Sequence, residues 1–449
     1  MRYVERSKRV FMQTGTRFPR KIIWSVALIK LAAAKTNSSF GMLDPKVADA
    51  IRAASQEAMQ GRHDSEVLVD VFQTGSGTGI NMNLNELIAE RASELLGKKG
   101  GRKIAVHPND HVNMGQSSND VGPSAIRIAA VALSEEELAP AIERISKRLS
   151  ALSKRTSSVY KAGRTHLRDA LPVTLGQEFA SYADAMDHDL KLLHDALTYV
   201  RELPIGGTAV GTGVNADSRF GPTVIREIND ATKLGFAEAK SRFRAMRLLS
   251  DLVMLSSILS LTALDVYRLC QDLRLMFSGP MTGLAEIDIP TQEEVAGSSM
   301  MPGKTNPVTL EAAMLVSAQV MGLDRANQVA GMLGEFELSM GVPLVGYNMV
   351  TQVELLSEAL RKLSSVVIDH VVADVKRNKM YAESSASLIT AISPAIGYDR
   401  AAAMGEKLRH GSSTREALKE LGYTEKEVNR ILDLRRLVSP GTRKLRESR

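Results

Sequence analysis

The densest set of chemically useful groups in this chain lies at Gly297-Ser298-Ser299-Met300-Met301-Pro302-Gly303-Lys304-Thr305-Asn306. Two glycines and a proline exclude a regular helix or strand, so the stretch is a loop. The apolar run after Pro307 makes it a loop that feeds a helix. Glycine leaves backbone N–H groups uncovered, and a helix start adds more of them. With the Ser298 and Ser299 hydroxyls, the Lys304 ammonium and the Asn306 amide, they suit a small, multiply charged anion. By themselves the residues equally allow an ordinary polar turn.

Four other polar stretches carry groups of the same kind: Gln73 to Asn83, His107 to Asn113, Gly115 to Asp120, and Gly163 to Ala170. Each has a plainer reading. The strand-like run Val67 to Phe72, a glycine-rich turn and a helix outline a dinucleotide fingerprint. The spacing is Gly-x-Gly-x-Gly, however, with no second strand bearing a ribose-binding acid and no Walker lysine. His107, Asp110 and His111 imitate metal ligands, but no further cluster is placed to complete a site, so no metal is expected. Ser117, Ser118 and Asn119 stand where a helix begins, through Pro123, and could serve only to cap it. A lone loop histidine such as His166 is more often structural than catalytic.

These loops are separated by long helical patterns. Ile22, Val26, Ile29 and Ala33 recur at helical spacing after Pro19, and Leu43-Asp44-Pro45 starts another helix. Ser124 to Leu152 reads as a helix bent at Pro140. Beyond Pro172, the positions Phe179, Tyr182, Met186, Leu190, Leu193, Leu197 and Val200 share one face. Pro204 to Gly213 reads as a tight glycine-rich loop. Arg242 to Phe277 reads as one very long helix, apolar around most of its circumference, and Pro307 to Leu323 and Val353 to Val372 repeat the habit. Helices apolar nearly all round must be covered by other helices, which predicts a bundle of long helices and self-association. From about Val375 the chain is more polar and its helices shorter. The methionine-rich stripes read as core filler.

A length of 449 residues suggests about three domains, and 44% hydrophobic with 24% charged residues is ordinary for a globular chain. The single cysteine, Cys270, allows no internal disulfide and fits a reducing compartment. The start, Met1 to Arg20, is basic and lacks an apolar core, so no signal peptide is expected. The uncharged run Leu252 to Leu264 is too short to cross a bilayer. The formal charge of +6 fits an anionic partner, but aromatics are only 4% and no nucleic-acid motif occurs. A modest positive field also favours a dianionic small substrate. The basic tail Arg443 to Arg449 reads as a solvated end.

Gly-Ser-Ser-Met-Met-Pro-Gly-Lys-Thr-Asn-Pro, from Gly297 to Pro307, resembles the signature of the fumarase/aspartase superfamily, in which a Ser-Ser loop precedes Met-Pro-x-Lys-x-Asn. The other loops match further motifs: Ser76-Gly77-Thr78 with Asn81-Met82-Asn83, Ser117-Ser118-Asn119-Asp120, and Gly163-Arg164-Thr165-His166. Ala391 to Asp399 resembles the C-terminal domain entry of the same family. The resemblance runs from about Gln13 to Gly441. The chain starts late compared with class II fumarases, and Gly79 and Ile80 depart from the usual small polar pair.

The resemblance implies an all-α, three-domain fold with a central bundle of long helices at the core of a homotetramer. The expected divisions are 1–118, 119–374 and 375–449. It implies proton removal beside a carboxylate, then loss of a group from the neighbouring carbon, without a redox cofactor. Ser298 is the implied base, with His166 and Glu311 as a paired acid–base or water-orienting set. Ser76, Thr78, Ser117, Ser118, Asn119, Thr165, Lys304 and Asn306 are the implied substrate ligands. His107, Asn109 and Asp110 are implied to hold a second dicarboxylate. Each site is implied to draw on three subunits.

The leaving group follows from small differences. Aspartases usually carry Ser-Thr-Asn-Asp where this chain has Ser117 to Asp120, Gly-Ala-Thr at Gly206 to Thr208, and Ala at Ser76. All three positions are fumarase-like, so the expected reaction is reversible hydration of fumarate to malate in the cytoplasm. Aspartate ammonia-lyase is the alternative. A non-catalytic homologue is a third reading, disfavoured because Ser298, Lys304 and His166 all remain.

Overall fold

The computed structural model describes residues 3–99, 102–103, 105–295, 297–409 and 412–440. The tail Arg443 to Arg449, and His410-Gly411 ahead of the last helices, lie outside the described residues. The fold is all-α, and among the described residues the strands form short two-stranded ribbons beside the helices.

Helix starts follow local chemistry. Asp44 accepts hydrogen bonds from the Lys46 and Val47 amides, with Pro45 at the first helical position, and opens Pro45–Met59. Ser117 and Asp120 form a capping box that opens Ser118–Leu133. That helix passes through one wider turn at Ser134–Leu138 into Ala139–Arg155. The bend expected at Pro140 is thus spread over the turn before it, because proline offers no N–H to the tighter ladder.

Two expectations change. Arg242 to Phe277 is not one helix but two, Arg242–Arg247 and Ser250–Phe277. Leu248 between them is extended, and its freed carbonyl accepts from the buried Arg127 guanidinium. Val67 to Phe72 forms no strand beyond a single bridge between Arg17 and Asp70. The Asp70 carboxylate takes the amides of Thr14, Gly15 and Phe72, replacing a sheet ladder with side-chain bonds. Val353 to Val372 is helical as far as His370: the helix Val342–Lys362, with Pro343 tolerated in its first turn, runs on through a wider turn at Leu363–Val367 and a tighter one at Ile368–His370.

The chain divides into two compact units. The first comprises Met1–Ile142, Asp189–Leu264 and Leu315–Ala359. Its helix Arg20–Ser39 packs on Pro45–Met59, Ser118–Leu133 and Phe220–Thr232, burying Leu28, Ile29, Ile51, Ile128 and Val224. A polar seam also runs inside this unit: Ser256, Asn327, Asn348 and Gln352 are all buried and bonded to one another. The second comprises Glu143–His188, Asp265–Met314 and Leu360–Arg449. It contains the ribbon Tyr160–Thr165 and Arg168–Thr174. It also contains a small C-terminal cluster built on Ile392, Met404, Leu418 and Val428.

Ser250–Phe277 is long and apolar enough to cross a membrane by length and composition. Here Leu252, Leu255, Leu259, Ala263, Val266, Leu269 and Leu273 are buried in protein. Near its start Asp251 makes a two-pronged ion pair with Arg127, both bonds 2.9 Å and both side chains buried.

Removing one partner of such a pair strands a charge without water. Asp251→Ala should cost about 3–5 kcal/mol in chemical denaturation, whereas Arg127→Met with Asp251→Leu should restore much of it. A single-variant loss below about 1 kcal/mol would show that the pair does not anchor this helix.

Candidate active site

In the first unit a chain of hydroxyls links two of the loops. Ser76 Oγ lies 2.9 Å from Thr78 Oγ1, which lies 2.8 Å from Ser118 Oγ. The loops approach because Gly122 has no side chain: a Cβ there would stand 2.6 Å from the Ser76 carbonyl oxygen. Asn119 donates its amide to the Ala209 carbonyl at 2.8 Å, which ties this turn to the Pro204–Gly213 segment. Gly79 and Ile80 point into protein. Ile80 is buried and its amide donates to Gln73 at 3.0 Å, while Gly79 packs under the Gln73 and Phe11 side chains.

Asp120 sits beneath this turn, fully buried. Its carboxylate accepts from the amides of Ser117 (2.9 Å), Gly206 (3.0 Å) and Thr208 (2.9 Å). Burial pushes its pKa up to about 6, against the pull of those three donors and of Lys30. Lys30, also fully buried, donates to Asn113 Oδ1 at 2.8 Å and Gln116 Oε1 at 3.0 Å. Desolvation lowers it to about 7, while the Asp120 charge works the other way. The residue reading assigned neither a role. A lysine inside the apolar run Val26 to Ala34 was the available signal.

The His107 loop is a wide turn, Pro108–Val112, closed by His107 Nδ1 accepting the Asp110 amide at 3.1 Å. The Asp110 carboxylate lies 3.1 Å from the same nitrogen, and Asn109 is exposed. Among the described residues no three His, Cys, Asp or Glu side chains are grouped to hold a metal ion.

In the second unit Gly163 to Ala170 is a β-hairpin rather than a plain loop. Thr165 pairs with Arg168 across a two-residue turn, and both turn residues, His166 and Leu167, have positive φ (54° and 58°). Neither is glycine or asparagine, so the tip holds His166 in a conformation L side chains disfavour. The hairpin is rooted by charge: the buried Glu286 carboxylate lies 2.9 Å from both Lys161 and Arg164. Lys161 also reaches Glu178 at 2.7 Å. A cavity of about 910 Å³ in this unit is lined by Arg164, His166, Arg274, Glu286 and Thr305, among others.

The Ser298 loop borders a smaller cavity of about 370 Å³, lined by Ser298, Lys304 and Thr305. Ser298 Oγ accepts from two backbone amides, Met300 at 3.1 Å and Met301 at 3.0 Å. Asn306 closes the loop by donating to the Gly297 carbonyl. Gly297 is required there, because a Cβ would collide with the Lys304 carbonyl. Within one chain Glu311 faces Arg274 at 3.4 Å, and His166 is exposed. The structure thus joins Ser76, Thr78, Ser117, Ser118 and Asn119 in one unit. It places Thr165, His166, Ser298, Lys304, Asn306 and Glu311 in the other.

Comparison with known proteins identifies the family. A family described as Lyase matches residues 1–322, and one described as Fumarase C C-terminus matches residues 388–439. The chain is 60% identical to "Fumarate hydratase class II" of Saccharolobus solfataricus, over 98% of this chain and 99% of that protein. The chain belongs to the class II fumarate hydratase family. It is 43% identical to the "Fumarate hydratase class II" of Nitrosomonas europaea, over 94% of this chain and 91% of that protein. The crystal structure of a class II fumarase from Schistosoma mansoni superposes with a TM-score of 0.91 at 33% identity, covering 96% of this chain and 95% of that one. The fold is therefore the all-α fumarase fold, and the chain is a lyase of that family.

In this fumarase-family chain the buried pair makes stability depend on pH in two opposite ways. Asp120 holds its proton more tightly folded than unfolded, so its contribution is full below 3.8 and lost as pH rises through about 6. Lys30 holds its proton less tightly folded, so its contribution is full above 10.5 and lost as pH falls through about 7. Relative to Lys30→Met, the wild type should gain stability steadily from neutral to alkaline pH in denaturant titrations. Parallel curves for the two proteins would overturn this assignment.

Proposed function

We propose that this chain catalyses the reversible hydration of fumarate to (S)-malate. The observation that carries the reading is the pair of backbone amides directed at Ser298 Oγ. A serine hydroxyl is a poor base, and two N–H donors with Lys304 on the same loop favour its alkoxide. In the dehydration direction, starting from malate, Ser298 takes the proton from the carbon beside one carboxylate. The electron pair moves into that carboxylate as a dianionic aci-carboxylate, which backbone amides, Lys304 and Asn306 stabilise. The electrons then return to form the double bond as the hydroxyl leaves from the neighbouring carbon. That hydroxyl takes a proton from a group oriented by His166, with Glu311 as its partner, and departs as water. Ser76, Thr78, Thr165 and Ser117 to Asn119 hold the substrate carboxylates, and His107, Asn109 and Asp110 hold a second dicarboxylate. These steps call on no redox cofactor or metal.

The working form is a homotetramer in which three subunits complete each site, with domains at 1–118, 119–374 and 375–449. Apolar side chains left exposed in the first unit support association: Leu315 is 73% exposed, Leu261 51% and Leu264 52%. The single cysteine, buried Cys270, fits a reducing cytoplasm.

The test is to add malate and aspartate separately and follow fumarate by its ultraviolet absorbance. Fumarate should form from malate alone; fumarate from aspartate alone would make the chain an ammonia-lyase. Ser298→Ala should keep the oligomer in sedimentation and lose about 10²–10⁴-fold in kcat, the usual share of a positioned base. Gly297→Ala should lower turnover about 100-fold by displacing the loop. Wild-type turnover in Ser298→Ala would remove that residue from the role of base.

A further inference from the structure

We propose that Lys30 and Asp120 are positioning residues, a buried cation and anion that clamp the Ser117-Ser118-Asn119 turn from its two ends and so fix its grip on a substrate carboxylate. The inference rests on the dicarboxylate reading above and extends it to residues that touch no substrate. Lys30 works on the approach to the turn. Its ammonium is bonded to Asn113 Oδ1 and Gln116 Oε1, and Asn113 Nδ2 donates to the Gln116 carbonyl at 3.1 Å. Asn81, from the helix that carries Thr78, also donates to Asn113 Oδ1 at 3.3 Å. One cation therefore sets both the segment entering Ser117 and the helix behind the Ser76–Thr78 loop.

Asp120 works on the exit. One carboxylate oxygen holds the Ser117 amide, and the other holds the Gly206 and Thr208 amides. Thr208 takes positive φ (57°), which a threonine adopts only when its surroundings insist. The segment so held presents the Ala209 carbonyl that fixes Asn119. Both side chains are fully buried, so neither charge is replaced by water when its partner groups shift. Neutral groups could not do the same work. An amide in place of Asp120 turns an acceptor into a donor facing N–H groups. A thioether in place of Lys30 leaves Gln116 Oε1 without its donor and leaves Asn113 Oδ1 to the longer bond from Asn81.

The test uses the assembled protein with Asp120→Asn, Lys30→Met and the double variant. Binding of succinate, a diacid that cannot be hydrated, is measured by calorimetry, malate turnover is followed beside it, and Tm is recorded for each. In each single variant the succinate Kd and the malate KM should rise about tenfold or more, with kcat within about threefold, because the grip on the carboxylate is common to ground and transition states. The double variant should regain Tm, since no lone charge stays buried, yet still bind succinate weakly. A merely structural pair would regain binding together with Tm, and that result, or Kd values within twofold of wild type, would overturn the proposal. If Asp120→Asn does not fold, Lys30→Met and the double variant decide; if none folds, the pair is structural and the proposal falls. Wild-type protein that binds succinate without turning over malate would sink the hydratase reading while leaving the clamp standing. Wild-type protein that does neither would sink both.

Discussion

A carboxylate taken out of water must be met by N–H donors or by a cation, and in this fold that requirement decides where the loops go. Asp120 is met by three backbone amides, and the price is that two loops distant in sequence must converge on it. Asp251 is met by Arg127, which draws the end of one helix to the start of another and stops the Arg242–Arg247 helix short. Glu286 is met by Lys161 and Arg164, two residues of the strand that ends at Thr165, just before His166. In two of these cases, Asp120 beside Asn119 and Arg164 beside Thr165, the buried ion cluster lies next in sequence to a group with chemistry to perform. The apolar helices supply stability; the buried ions supply register.

The same principle governs the candidate base, with opposite sign. An alkoxide on Ser298 is a charge the loop must be ready to receive before it exists. Two amides already point at the oxygen. They can do so because Met300 and Met301 follow in a tight turn that Gly297 permits and Asn306 closes. Preorganised donors cost no reorganisation when the proton moves. The hairpin tip follows a related logic: holding His166 and Leu167 at positive φ is unfavourable for both, and the ion cluster on Lys161 and Arg164 anchors the strand that leads to them.

Much of this was legible in the residues. Helical periodicity located the long helices, and the glycine-rich polar stretches marked each loop that carries a candidate group. What could not be read were outcomes decided by distant partners. Leu248 sits in a run that local propensity would continue as helix; only Arg127, far away in sequence, makes the break favourable. Val67 to Phe72 has strand composition, but the Asp70 side chain supplies the bonds a ladder would have made. Gly163 to Ala170 looked like a loop because its turn residues are His and Leu, not the Asn-Gly that announces a two-residue hairpin. Asp120 was visible as the end of a motif, yet its three amide partners were not.

The distribution of exposure bears on how the site is completed. Ser298 is half-buried, while Lys304 and His166 are exposed in a single chain. Stabilising a dianion with amides and one ammonium is effective only where water is kept out, since the same contacts in bulk solvent are worth far less. A chain that supplies the donors but leaves them wet has therefore solved half of the problem. The side chains of Leu261, Leu264 and Leu315 are apolar and exposed. On the proposed tetramer one event meets both needs: association covers those leucines and closes the candidate loops away from solvent. On that proposal assembly is a condition of the chemistry as well as of stability, because the hydrophobic gain of covering the helices would make the electrostatics of the loop effective.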